Sequence, residues 1–121
     1  DHNERMQSHR GATLTVRLPE GTSLRAILSR LSDALANGLH YVELRDDLLD
    51  DEAIVSISES LPAHARLLSL RRKRAPPEQS ILVRRCQPAL LDVALELDLE
   101  AEMLTELSQS AEGITGVVSC H

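Results

Sequence analysis

The sequence predicts an α/β fold, a parallel βα repeat of about five strands and four helices that corresponds to half of a (β/α)8 TIM-type barrel. Three observations point to it. Short aliphatic or β-branched runs alternate with segments of helical apolar spacing. Strand starts near residues 41, 66, 91 and 116 recur at intervals of about 25 residues, the length of a strand plus its crossover helix. The chain has 121 residues, about half of the ~250 that a closed barrel of this kind needs.

Residues 1–10 are polar and read as a disordered tail or an expression remnant, which leaves 11–121 as the βα domain. Ala12 to Arg17 alternates apolar and polar residues and predicts the first strand, with Pro19 and Gly21 as breakers. Thr22 or Ser23 suits the cap of a helix through Leu24, Ile27, Leu28, Leu31 and Leu35, and Gly38 suits the position just past its end. Tyr41 to Arg45 is a second strand. The acidic stretch Asp46 to Glu52 then complements the positive N-terminal end of a helix through Ile54, Ile57 and Ser60, ended by Pro62. Arg66 to Leu70 is the third strand, and Pro76-Pro77 opens a helix with Ile81, Leu82 and Cys86 expected on one face. Leu90 to Leu99 alternates like a strand while its Ala, Leu and Glu content favours helix; the spacing decides for strand. Glu100 to Ser110 supplies a fourth helix and Gly116 to Ser119 the last strand. An open parallel sheet of this sort needs more chain or a partner to cover its edges and its second face.

Composition narrows the function classes. Apolar residues make up 42% of the chain, yet it holds one Tyr and no Phe or Trp, so the core must be packed from aliphatic side chains. A net charge of −6 argues against a general polyanion binder, and the basic run Arg71-Arg72-Lys73-Arg74 reads as a solvated loop. No nucleic-acid partner is therefore expected. Cys86 and Cys120 are too isolated for a disulfide framework or a Cys-x-x-Cys metal site, which fits a reducing, cytoplasmic setting. His2, His9, His40, His64 and His121 show no metal-ligand spacing, so no metal is expected. No apolar run approaches the ~18 residues of a membrane span, and no membrane partner is expected.

Ligands of parallel βα proteins bind where the carboxyl ends of the strands converge. Those ends hold Arg17, then Glu43 and Arg45, then Arg71, then Glu96 and Asp98, and finally His121. Glu43 and Arg45 are two residues apart, so alternation sends both to one side of the sheet and Val42 and Leu44 to the helix side. Buried there, the two charges need each other or a ligand. Arg71 suits bidentate binding of a carboxylate, or equally a solvated loop. His121 ends an apolar strand, where an imidazole serves as a general acid or base near neutral pH. Cys120 and His121 point to opposite faces as adjacent strand residues, which disfavours a nucleophile and base pair.

At these positions the chain resembles type I 3-dehydroquinate dehydratase, the Schiff-base enzyme of the shikimate pathway and of aromatic amino acid biosynthesis. Glu43-Leu44-Arg45-Asp46-Asp47-Leu48-Leu49 looks like the family's Glu-Leu-Arg-x-Asp-Leu-Leu, and Ser69-Leu70-Arg71-Arg72-Lys73-Arg74 like its Thr-Phe-Arg-x-Lys strand and loop. Asp92 to Asp98 is similar to Asp-x-Ile-Asp-Val-Glu-Leu, and Val117 to His121 to Val-x-Ser-x-His. The four segments occur in family order. The resemblance implies that Glu43, Arg45 and Arg71 line a pocket for a small carboxylate substrate, that Glu43 orients the histidine, and that His121 is the general acid/base of this lyase. It implies no separate cofactor. The chain departs from the pattern where Ala75-Pro76-Pro77-Glu78 replaces a Glu-Gly-Gly turn, and its only lysine, Lys73, stands in a loop. The imine-forming lysine of a later strand is not among these residues, so the chain is expected to be inactive alone.

Two further expectations stand beside this one. The first is another ketone- or phosphate-handling barrel, for instance one resembling thiamine phosphate synthase, although the Gly-rich phosphate loop that it would need does not occur. The second is a non-catalytic βα module that forms a homodimer through its open edges and keeps the strand-end charges as ion pairs.

Overall fold

The computed structural model describes residues 12–94 and 115–119. Strand β1 (Thr13–Thr15) leads into helix α1 (Leu24–Ala36), β2 (Tyr41–Arg45) into α2 (Asp51–Ser60), and a single 3-10 turn (Ala63–Ala65) into β3 (Arg66–Leu70). Helix α3 (Pro76–Cys86), β4 (Leu90–Ala94) and β5 (Thr115–Ser119) follow. The five strands form one all-parallel sheet in the order β1-β2-β3-β4-β5, so each strand lies beside its sequence neighbour. That is the topology expected when every connection is a short crossover. The fourth helix expected over 100–110, and residues 95–99 of the expected fourth strand, lie outside the described residues.

The helices start and stop where local chemistry requires. Ser23 caps α1 by accepting from the Ala26 N–H, and Asp50 caps α2 by accepting from the Ala53 N–H at 2.8 Å. Gly38, just past α1, sits at φ 105°, a left-handed conformation that costs glycine nothing. Helix α3 opens on Pro76 and Pro77, whose missing N–H groups belong to positions without an intrahelical acceptor.

One face of the sheet carries Val42, Leu44, Leu68, Leu70, Leu91 and Val93, all buried, against Ile27, Leu31, Ile54, Ile57, Leu82 and Val83 from the three helices. This aliphatic layer is the core. Helix α3 corrects the expectation for its apolar face. Leu82 and Cys86 are buried as expected, but Ile81 is 51% exposed and Gln79 is wholly buried. The inward stripe runs through 79, 82, 83 and 86, the i, i+3, i+4, i+7 spacing of a helix, and Ile81 falls off it.

At the opposite end of the layer Arg66 ties two helices to the sheet. Its register partner is Val42, which places it on the helix side. From there its guanidinium donates to the Leu61 carbonyl at 2.8 and 3.2 Å and to the Cys86 carbonyl at 3.0 Å. These carbonyls close α2 and α3, whose last oxygens have no partner within the helix. Arg66→Met is expected to lower the unfolding free energy by about 2–3 kcal/mol in urea titrations, with Arg66→Lys recovering only part, because a lysine lacks the planar fork.

Candidate functional site

Parallel register aligns side chains of successive strands in layers across the face that the helices leave open. One layer holds Thr15, Glu43, Leu67 and Leu90. The next, toward the carboxyl ends, holds Arg45, Ser69 and Asp92, with Arg71 following two residues after Ser69. The sequence therefore brings Glu43, Arg45 and Arg71 to one face, as alternation predicts. Arg17 is exposed beyond β1, whereas Glu96, Asp98, Cys120 and His121 lie outside the described residues.

Glu43, Arg45 and Arg71 each have a partner on this face, and Glu43 and Arg45 are not each other's. The two carboxylate oxygens of Glu43 accept from the Thr15 hydroxyl at 2.5 Å and from the Ser69 hydroxyl at 2.6 Å, so neighbouring strands hold it from both sides. Arg45 turns instead to Asp47, with Nε to Oδ1 at 3.0 Å and Nη2 to Oδ2 at 2.6 Å. This fork holds the Asp47 carboxyl below the usual carboxylate range. Arg71 reaches across to Asp92, Nη2 to Oδ2 at 2.9 Å, with both side chains largely buried.

Behind Arg71 lies a second polar assembly. Asp46, 1% exposed, directs Oδ1 at two backbone N–H groups, those of Arg71 at 2.6 Å and Arg72 at 3.1 Å. Its Oδ2 accepts no hydrogen bond, although Arg74 Nε lies 3.4 Å away. Burial pushes the Asp46 carboxyl above the usual range, against the backbone donors and the Arg74 and Arg72 charges that favour ionisation. Arg74 in turn makes a bidentate bond to Asp51 at 2.7 Å on each arm, and Arg72 approaches the same carboxylate at 3.6 Å. The basic run is thus folded back on the start of α2, which corrects its reading as a merely solvated loop. Between them a surface cavity of about 370 Å³ is lined by Asp50, Asp51, Arg72, Lys73, Arg74 and Glu78.

Cys86 is buried, and burial pushes its thiol up to about 11, so it is no thiolate at neutral pH. Among the described residues no group of three His, Cys, Asp or Glu side chains could hold a metal ion, and no helix is long and apolar enough to cross a membrane.

Sequence reasoning gave Thr15 no role at the site, and took Ser69, Asp46, Asp47 and Asp92 only as parts of motifs or of the acidic stretch. Alternation could have found two of them: Ser69 stands two before Arg71, and Thr15 stands two before Arg17. Asp46 had no such signal, being one of several acids in a stretch that reads as helix-capping. No family model, curated protein or solved structure matches the sequence.

Two outcomes are expected. Ser69→Ala should cost about 1.5–3 kcal/mol by removing a hydrogen bond to a charged group, and a double-mutant cycle with Glu43→Gln should show the two losses to be less than additive. The second concerns acid. Arg74 keeps the Asp51 carboxyl below its usual value, so this contribution to stability is complete above the unfolded value of about 3.9 and is lost as the pH falls through the lower folded one. The raised Asp46 carboxyl acts with the opposite sign, binding its proton more tightly in the folded state. Arg74→Met should therefore flatten the loss of stability below about pH 4, as read from urea midpoints at successive pH values.

Proposed function

We propose that the polar face belongs to the substrate pocket of a lyase similar to type I 3-dehydroquinate dehydratase, and that this chain supplies the N-terminal strands of its (β/α)8-type barrel. The observation that carries this reading is the meeting of Glu43, Arg45 and Arg71, which come from two motifs far apart in sequence, on the one face and at the one end where such barrels bind ligands. In this reading Arg71 and Arg45 exchange their internal carboxylate partners for the carboxylate and hydroxyl groups of 3-dehydroquinate. Guanidinium groups already aligned with Asp92 and Asp47 have lost most of their side-chain freedom, so the exchange costs little further ordering.

Glu43, held by Thr15 and Ser69, is a fixed acceptor that orients the imidazole of His121. His121 removes a proton beside the substrate carbonyl and returns one to the departing hydroxyl, giving 3-dehydroshikimate and water. Covalent activation of the ketone as an imine requires a lysine. Lys73 borders the loop cavity beside Asp51 and Glu78, so in this reading the imine is formed by a lysine on a later strand.

A second reading has its own support. Because Glu43, Arg45 and Arg71 are all satisfied internally, the face is also consistent with a non-catalytic βα module that dimerises through the open sheet edges. The deciding experiment is borohydride reduction of the complete gene product in the presence of 3-dehydroquinate, followed by mass spectrometry. A substrate-dependent adduct together with dehydratase activity supports the enzyme. Absence of both, with a stable folded dimer of the 121-residue chain in sedimentation, supports the module.

A further inference from the structure

Asp46 is the most deeply buried charged residue described and the one whose placement the strand-end motifs leave unexplained. A buried carboxylate is costly unless hydrogen bonds and charges compensate it, so its partners indicate its task. Those partners are two consecutive backbone N–H groups, of Arg71 and Arg72, at the point where β3 leaves the sheet. The carboxylate belongs to the segment just after β2, whose own Asp46 N–H donates to the Ser69 carbonyl of β3 at 3.1 Å. Main chain and side chain of one residue therefore grip β3 in three places, at Ser69, Arg71 and Arg72. From α3, Gln79 Nε2 lies 3.4 Å from the Arg72 carbonyl on the other side of the turn. Arg74 faces the free Oδ2 and is itself held by Asp51 of α2.

We infer that Asp46 is the positioning residue of the strand-end face: it clamps the backbone where β3 ends and so aims the Arg71 guanidinium along the sheet toward Asp92 and any carboxylate ligand that replaces it. The inference deepens the reading above, because Arg71 is the ligand-binding group there. A guanidinium on a flexible turn would have to be ordered at the moment of binding. On a clamped turn that cost is already met in folding. The basic segment is then a clasp closed around one buried carboxylate, and its charges serve Arg71 rather than an external polyanion.

The test uses three proteins, the wild type, Asp46→Ala and Asp46→Asn, the last of which keeps an oxygen for the two amides. Hydrogen exchange of the Arg71 and Arg72 amides is expected to accelerate by about tenfold or more in Asp46→Ala and to stay near wild type in Asp46→Asn. The resolved Nη signals of Arg71 in nitrogen NMR, a sign of restricted rotation, should persist in Asp46→Asn and in the wild type and coalesce in Asp46→Ala. Equal exchange rates and unchanged Arg71 signals in Asp46→Ala would overturn the inference. Should Asp46→Ala fail to fold, the wild type still decides: a scalar coupling across the hydrogen bond from Asp46 Cγ to the Arg71 amide nitrogen is required, and its absence refutes the clamp. Titration of the three proteins with 3-dehydroquinate separates the two readings. A wild type that does not bind it fails as a dehydratase-like site, while exchange and Nη signals still judge Asp46.

Discussion

In a parallel sheet every strand points the same way, and most of what is particular to this chain depends on that constraint. Hydrogen-bonded register stacks equivalent positions side by side, so one residue of each strand contributes to each layer. The crossover helices bury one face in aliphatic contact, with Val42, Leu44, Leu68 and Leu70 at its centre. The other face then takes the charges of β2, β3 and β4 at their carboxyl ends, where the segments after β2 and β3 meet. Glu43, Arg45, Arg71 and Asp92 come from three strands and converge for this reason.

The charges at that rim form two linked assemblies. On the face, hydroxyls of Thr15 and Ser69 hold Glu43, while Asp92 and Asp47 hold Arg71 and Arg45. Beneath it, Asp46 holds the backbone of Arg71 and Arg72, and Arg74 links it to Asp51 and α2. Arg71 belongs to both, by its side chain to the first and by its amide to the second. A ligand that drew Arg71 from Asp92 would therefore act on a group whose backbone is fixed from behind. The same economy governs the opposite end, where Arg66 closes α2 and α3 on carbonyls that the helices leave unpaired.

The fold was legible in the sequence to the extent that it rests on local rules. Ser23, Asp50, Gly38 and the Pro76-Pro77 pair mark helix ends through their own backbone chemistry, and alternation along Tyr41–Arg45 sorts Glu43 and Arg45 from Val42 and Leu44. Local rules failed at α3. Ile81 is apolar yet exposed and Gln79 polar yet buried, because helical phase, set by where the helix docks, overrides the hydrophobicity of a single side chain.

Among the described residues, what the sequence by itself determined was the order of strands and helices, the side of the sheet on which Val42, Glu43, Leu44 and Arg45 lie, and the placing of Glu43, Arg45 and Arg71 on one face. Only the tertiary structure decided the pairing of those charges. Glu43 and Arg45 stand two apart on β2, but Glu43 is held across strands by Thr15 and Ser69, while Arg45 turns to Asp47 just after β2. Asp46 is the clearest case. In the sequence it is one acid in an acidic stretch, and it becomes a buried clamp because β3 ends beside it and the Arg71 and Arg72 amides donate to its carboxylate. Pair energies fall steeply with distance and geometry, and neither is defined until the strands have docked.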